Sequence, residues 1–368
     1  MGRRRGVWPG AIGLGGTRVA CLGSGPRRAV AILVCALVSA CLVAAAGPSA
    51  DTARAAGTLA WTSAGTFDPH AGTTHPVTGL SCAPSGFCLA VDSAGRTFTW
   101  TGAWHSAPAI SRRAGYVTGL SCVSSSFCMA IASEGSPASS SSYEVRWNGT
   151  RWDAPVRLYR GTGEAALYGT VRGVSCTSTV FCMAVGAQVG SLVFNGSRWT
   201  KHEGSTSGTD GQGVVGCASS RFCIDIHDDF ANYWNGSSWR WSVANSNLST
   251  GLIPGLNGFA FGISCVSATF CVAAAATAAP LVWNGTRWRF AGGALSKGGG
   301  FASVSCTSTS FCVAGGQKNL AASWNGTAWA FTSPPQLPDA PVLVSCSKTG
   351  SCLAVSTDGA SAITVPTG

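Results

Sequence analysis

One run in this 368-residue chain gathers groups able to do acid–base or metal chemistry: CIDIHDDF, Cys223–Phe230. In a strand, alternation puts Asp225 and His227 on one face, with Asp228 and Asp229 in the turn that follows. Carboxylates and an imidazole held together can bind a divalent ion or move protons. The same group is also what a solvated turn with an Asp cap looks like. Glu134 and Glu164, in two further polar segments, complete the candidate binding residues. The chain has no Gly-rich phosphate loop, GxSxG elbow or HExxH, so no catalytic residue is assigned. Neither a resident metal nor a cofactor is expected.

The other reactive side chains are cysteines: 14 of the 17 fall in pairs with five residues between partners, and Cys21, Cys35 and Cys41 lie in the first 54 residues. The pairs are Cys82 with Cys88, Cys122 with Cys128, Cys176 with Cys182, Cys217 with Cys223, Cys265 with Cys271, Cys306 with Cys312 and Cys346 with Cys352. Across a hairpin in an exported chain, such a pair reads as a disulfide. The alternative is metal held by thiolates of separate hairpins. Zinc sites usually need two close pairs or a pair with His, and the chain has only five His.

These pairs mark a repeat. Each unit has a VSC-like strand, a short polar turn, an FCMAV-like strand, and two more strands around Asn-Gly. Asn148-Gly149, Asn195-Gly196, Asn235-Gly236, Asn284-Gly285 and Asn325-Gly326 predict two-residue type I′ turns. That register places Val145, Trp147 and Trp152 on one face and Arg146 and Arg151 on the other. The Asn-Gly-Ser/Thr triplets also match the glycosylation acceptor, although their fixed place in the repeat is explained by turn geometry alone.

The Cys-to-Cys periods are 40, 54, 41, 48, 41 and 40 residues. Four strands per 40 to 50 residues is the signature of a β-propeller. The expected fold is all-β: seven four-stranded antiparallel blades. The seventh lacks a fourth strand, because twelve residues beyond Cys352 lie at Thr364 and the sequence stops at Gly368. GTLAWTSAGTF, with Trp61 where the last Trp of a unit would stand, is expected to supply it. An N-terminal strand then completes the C-terminal blade and closes the ring.

Residues 55–368 are assigned to this propeller and 1–54 to an export leader. Arg3, Arg4, Arg5, Arg18, Arg27 and Arg28 precede an apolar run at 29–46 and Ala-rich cleavage options. The same segment also fits an uncleaved anchor or lipidation at Cys41, the only expected routes to a membrane. The formal charge of +10 is misleading. Seven of 24 basic and one of 14 acidic residues lie in 1–54, leaving 17 against 13, scattered without a stripe. Nucleic acid is therefore not an expected partner. The mature chain is expected to be a secreted or envelope-attached monomer.

Two faces follow from an antiparallel blade. First–second and third–fourth turns emerge on one; second–third turns and blade-to-blade links emerge on the other. The larger insertions, Ser133–Tyr143, Leu158–Thr170 and Ala244–Phe261, all fall on the link face, as does the Asp225 cluster. Length variation confined to one face suits binding loops on a rigid scaffold.

Around Gly149 with Trp152, and Gly196 with Trp199, the repeat resembles the Asp-box of sialidase-like propellers. The family's Asp and Thr are replaced by Trp147 and Arg151. The whole repeat looks like that of secreted bacterial propellers, a resemblance that implies a fold and little about activity. A sialidase would need arginines, a Tyr/Glu pair and an acid around the channel. None of Tyr116, Tyr143, Tyr159, Tyr168 and Tyr233 is expected in an innermost strand. The reading is a recognition module for a carbohydrate or protein ligand. A glycosidase or lyase on the same face is the alternative.

Overall fold

The computed structural model describes residues 59–365, apart from 137–138, 163–169, 187–188, 204–212, 228–229, 242–259, 276–279, 291–299, 333, 335–336 and 338–341. Residues 1–54, the expected leader, lie outside them. The described chain forms seven four-stranded antiparallel sheets, with one 3-10 turn at Arg112–Ala114. In six blades the strands run in chain order from the centre outwards; blade 1, for example, comprises Val77–Cys82, Cys88–Asp92, Thr97–Trp100 and Trp104–Ala107. Blade 7 is the composite expected from the sequence. Val342–Cys346, Cys352–Ser356 and Ala360–Val365 are completed by Ala60–Thr66, with Trp61 opposite Thr364.

All seven cysteine pairs close as disulfides, each across the inner hairpin of its own blade. Cys82 is bonded to Cys88, Cys122 to Cys128, Cys176 to Cys182 and Cys217 to Cys223. Cys265 is bonded to Cys271, Cys306 to Cys312 and Cys346 to Cys352. In every case the two residues are direct cross-strand partners. The second member is the more deeply placed: Cys128, Cys182, Cys271 and Cys312 are all fully buried. Thiolates of separate hairpins do not meet, so the metal alternative has no geometry here.

The Asn-Gly turns differ from expectation. Trp147 bridges Trp152, and Phe194 pairs with Trp199, so four residues rather than two make the loop. Gly149 takes φ 102° while Asn148 stays at negative φ. Instead, Asn148 Oδ1 accepts from the backbone N–H of Thr150 and Arg151, both at 3.1 Å. The Asn side chain imitates a backbone turn, which a short polar residue does well. The aromatic face survives this shift, because Val145, Trp147 and Trp152 are all buried.

That face is buried against the neighbouring blade, as an aromatic sheet requires. Trp147, Trp234, Trp283 and Trp324 each donate Nε1 to a carbonyl of their own Cys hairpin at 3.0 Å. Four outer-strand tryptophans instead reach the preceding blade: Trp104 to Ser361, Trp152 to Thr97, Trp239 to Ser191, Trp288 to Tyr233. Trp61 does the same toward Thr332, so the borrowed strand is sealed like the others. A buried indole N–H with a partner avoids a desolvation cost while its ring supplies apolar area.

The Ser of each VSC motif has a role the sequence did not suggest. Cys122 N–H donates to Ser81 Oγ at 2.9 Å, and the same bond joins Cys176 to Ser121, Cys217 to Ser175, Cys306 to Ser264 and Cys346 to Ser305. Cys82 to Ser345 carries the chain of bonds from blade 7 back to blade 1. The seventh position is Gly216, where an added Cβ would lie 3.1 Å from Ile263. Blades 4 and 5 therefore meet through an Ile where the other inner strands meet through a hydroxyl.

Candidate functional site

Asp225 and His227 stand on the second strand of blade 4, Phe222–His227, and both are buried, at 0% and 2% exposure. They occupy places that other blades fill with small apolar residues: Ala184 and Gly186 in blade 3, Ala273 and Ala275 in blade 5. Asn232, opposite Asp225 on the third strand, replaces Leu192 and Leu281. The three polar side chains face blade 3, on the same side as Val215 and Trp234. His227 Nε2 lies 2.9 Å from Asp225 Oδ2. Burial pushes the Asp225 carboxyl above the usual carboxylate range, opposed by His227 and by hydrogen bonds from His227 and Asn232. Room for the imidazole comes from Gly213 on the inner strand, where an added Cβ would fall 2.1 Å from the ring. Asp225 and His227 thus face each other inside a seam between blades.

The remaining candidates do not join them. Glu134 is on the second strand of blade 2, where the expected insertion extends the sheet: Phe127–Ser136 and Ser139–Trp147 pair as far as Ser136 with Ser139. Tyr143 donates to Glu134 at 2.6 Å on the exposed surface, and that bond raises the phenol's pKa. Asp228, Asp229 and Glu164 lie outside the described residues. Space also assembles an acidic group that the linear sequence scatters. Arg96 spans the buried carboxylates of Asp68 and Asp92, with its guanidinium 3.3 Å from Asp68.

The central channel is a concavity among the described residues. The starts of the seven inner strands enclose a cavity of about 540 Å³ on the link side of the ring. Tyr116 opens the inner strand of blade 2, Tyr116–Ser124, and lines this cavity. The expectation that no Tyr sits in an innermost strand is therefore wrong: the strand begins six residues before Cys122, earlier than its VTGLSC motif suggests. Tyr116 and Phe261 are about half exposed, at 49% and 47%. Arg172 is the one charged side chain among the described lining residues. Its Nε donates to Thr170 Oγ1 at 3.1 Å, which braces the guanidinium at the strand start. Deeper lining comes from Leu80, Val174 and Ile263. The channel thus offers a throat of mixed polar and apolar surface, with two aromatic rings and one cation toward the link side.

No family model matches the chain, and no curated protein matches it in sequence. Solved structures share its fold. The WD40 repeats of RRP9 superpose with a TM-score of 0.60 at 12% identity, covering 83% of this chain and 98% of that one. The WD40 β-propeller domain of Doa1 gives 0.57 at 13% identity, with 84% and 97% covered. YCF48 bound to a D1 peptide gives 0.54 at 11% identity, with 83% and 96% covered. At such identities the likeness shows architecture alone, and that architecture is a seven-bladed β-propeller.

Proposed function

We propose that this chain is a protein-recognition module that holds an extended peptide at the link-side opening of its central channel. The observation that carries this reading is the lining itself. Arg172 is placed to meet an acidic side chain or a free C-terminal carboxylate, and Tyr116, from the adjacent blade, and Phe261, two blades further round, supply exposed aromatic area on the same rim. The throat is large enough for a few side chains and small enough to desolvate them. One fold neighbour was solved with a peptide bound, which shows that a ring of this kind can hold one. The described lining carries no carboxylate, so the acid/base pair a glycosidase would use has no place on it. Seven disulfides suit folding in an oxidising compartment, which supports export through residues 1–54.

A library of random peptides with free C-termini, panned on the full chain, provides the test. Enriched peptides are expected to carry an acidic group near apolar residues, and Arg172→Ala is expected to weaken them at least tenfold, about 1.4 kcal/mol. Tyr116→Ala and Phe261→Ala should each weaken them as well. Selected peptides that bind all three variants as tightly as the parent would refute the assignment.

A further inference from the structure

A second cavity, of about 770 Å³, opens at the seam where blade 7 meets blade 1. Four departures from the repeat coincide there. Among the described residues, Trp100 is the only aromatic at the end of a third strand that is not buried; Trp147, Phe194, Trp234, Trp283 and Trp324 all are. The loop after Trp100 is Thr101-Gly102-Ala103, one residue shorter than the Asn-Gly loops, because Trp100 pairs with Trp104. The Cys hairpins of blades 1 and 7 turn tightly through Gly86 and Gly350, whereas inner strands of the other blades run two residues past their first Cys. Blade 7 also places Thr364 where its neighbours have an aromatic, since its outer strand arrives from the other end of the chain. Closing the ring in this way leaves the seam short of bulk.

What remains is a shaped and rigid cleft. Trp104 is fixed on one side by Phe67, stacked at 4.3 Å, and by its Nε1 bond to Ser361 at 3.0 Å. Trp100 stands against it at 5.4 Å and 64°, forming an aromatic corner. Thr66, Thr349 and Ser351 bring hydroxyls to the lining, and no described lining side chain carries a charge. Aromatic planes held in place, hydroxyls at the rim and no ions suit a neutral ligand with an apolar face and hydroxyl edges. A β-1,4-linked gluco-configured sugar chain has that character: equatorial hydroxyls at its edge and axial C–H bonds on its faces. Preset indoles lose little rotamer entropy on binding, so a small contact suffices for measurable affinity.

We propose that the cleft between blades 7 and 1, walled by Trp100 and Trp104, binds a neutral β-1,4-linked oligosaccharide. It is separate from the channel opening and would give the ring a second ligand class. The test is calorimetric titration of the full chain with cellotetraose and with tetra-N-acetylchitotetraose. At least one is expected to bind with a Kd of about 1 mM or tighter. Trp100→Ala should weaken it at least tenfold. Ala103→Arg, an exposed position on the cleft wall, should do the same with an unchanged melting transition, so a fold defect in Trp100→Ala does not decide the matter. Arg172→Ala should leave sugar binding intact, which keeps this site distinct from the peptide site. Absence of binding by both tetrasaccharides, or binding that Ala103→Arg does not disturb, would overturn the proposal.

Discussion

Full reduction of the disulfides is expected to unfold this protein at a urea concentration where the oxidised form remains native. Each bridge closes a loop of seven residues, and loop-closure entropy assigns such a loop about 2 kcal/mol. The seven loops do not overlap along the sequence. Their contributions therefore add to about 15 kcal/mol, equal to the upper range of total stability for a folded domain. The bridges also sit at the inner hairpins, where the N–H of each first Cys but Cys265 is clamped by the preceding blade's Ser. Urea titration followed by tryptophan fluorescence, with and without a phosphine reductant, reads the effect directly. A midpoint that does not move on complete reduction would mean that the hairpins hold without their bridges.

The second large effect concerns the polar trio in the seam of blades 3 and 4. Asp225→Ala is expected to cost about 3–5 kcal/mol, because it strips a buried imidazole of the carboxylate 2.9 Å away. Replacing all three together by what blade 5 carries (Asp225→Ala, His227→Ala, Asn232→Leu) should be neutral or stabilising by about 1–4 kcal/mol. The contrast follows from desolvation: a half-broken buried pair is worse than either a whole pair or an apolar seam. Thermal or urea unfolding of the two variants measures it. If the triple variant is as damaged as the single one, the trio holds the seam through more than its mutual contacts.

The propeller was legible because its marks repeat. Cys pairs at fixed spacing, a Trp after each turn and a unit one strand short led to seven blades and to a strand around Trp61 completing the last. The pairing itself was legible too, since a hairpin with five intervening residues sets Cys128 opposite Cys122, and likewise Cys182, Cys271 and Cys312 opposite their own hairpin partners. The errors lay where one residue type serves two geometries. Asn-Gly favours a type I′ turn in isolation, yet here Asn148 caps a four-residue loop with its side chain. Nothing in the sequence marks Ser81 and its equivalents as the acceptors of a backbone N–H from the next blade. Asp225 and His227 stood out by contrast with neighbouring repeats, and that contrast was real. Its meaning depended on which side of a blade faces the adjacent one, which local alternation does not fix. Tyr116 and Arg172 were missed for a related reason: only the closed ring brings seven strand starts together. Trp100 carried a readable signal, a repeat with Thr-Gly-Ala in place of Asn-Gly, but the cleft beside it appears only once blade 7 is seen to be split.

Both proposed sites depend on that closure, since the channel needs seven inner strands and the cleft needs the composite blade. Amide hydrogen exchange along Ala60–Thr66 and Ala360–Val365 tests it most directly. Paired in one sheet, Ala60–Thr66 is predicted to be protected like the outer strands of other blades and Ala360–Val365 like their third strands. Rapid exchange of Ala60–Thr66 beside a protected Ala360–Val365 would show that the N-terminal strand does not close the ring.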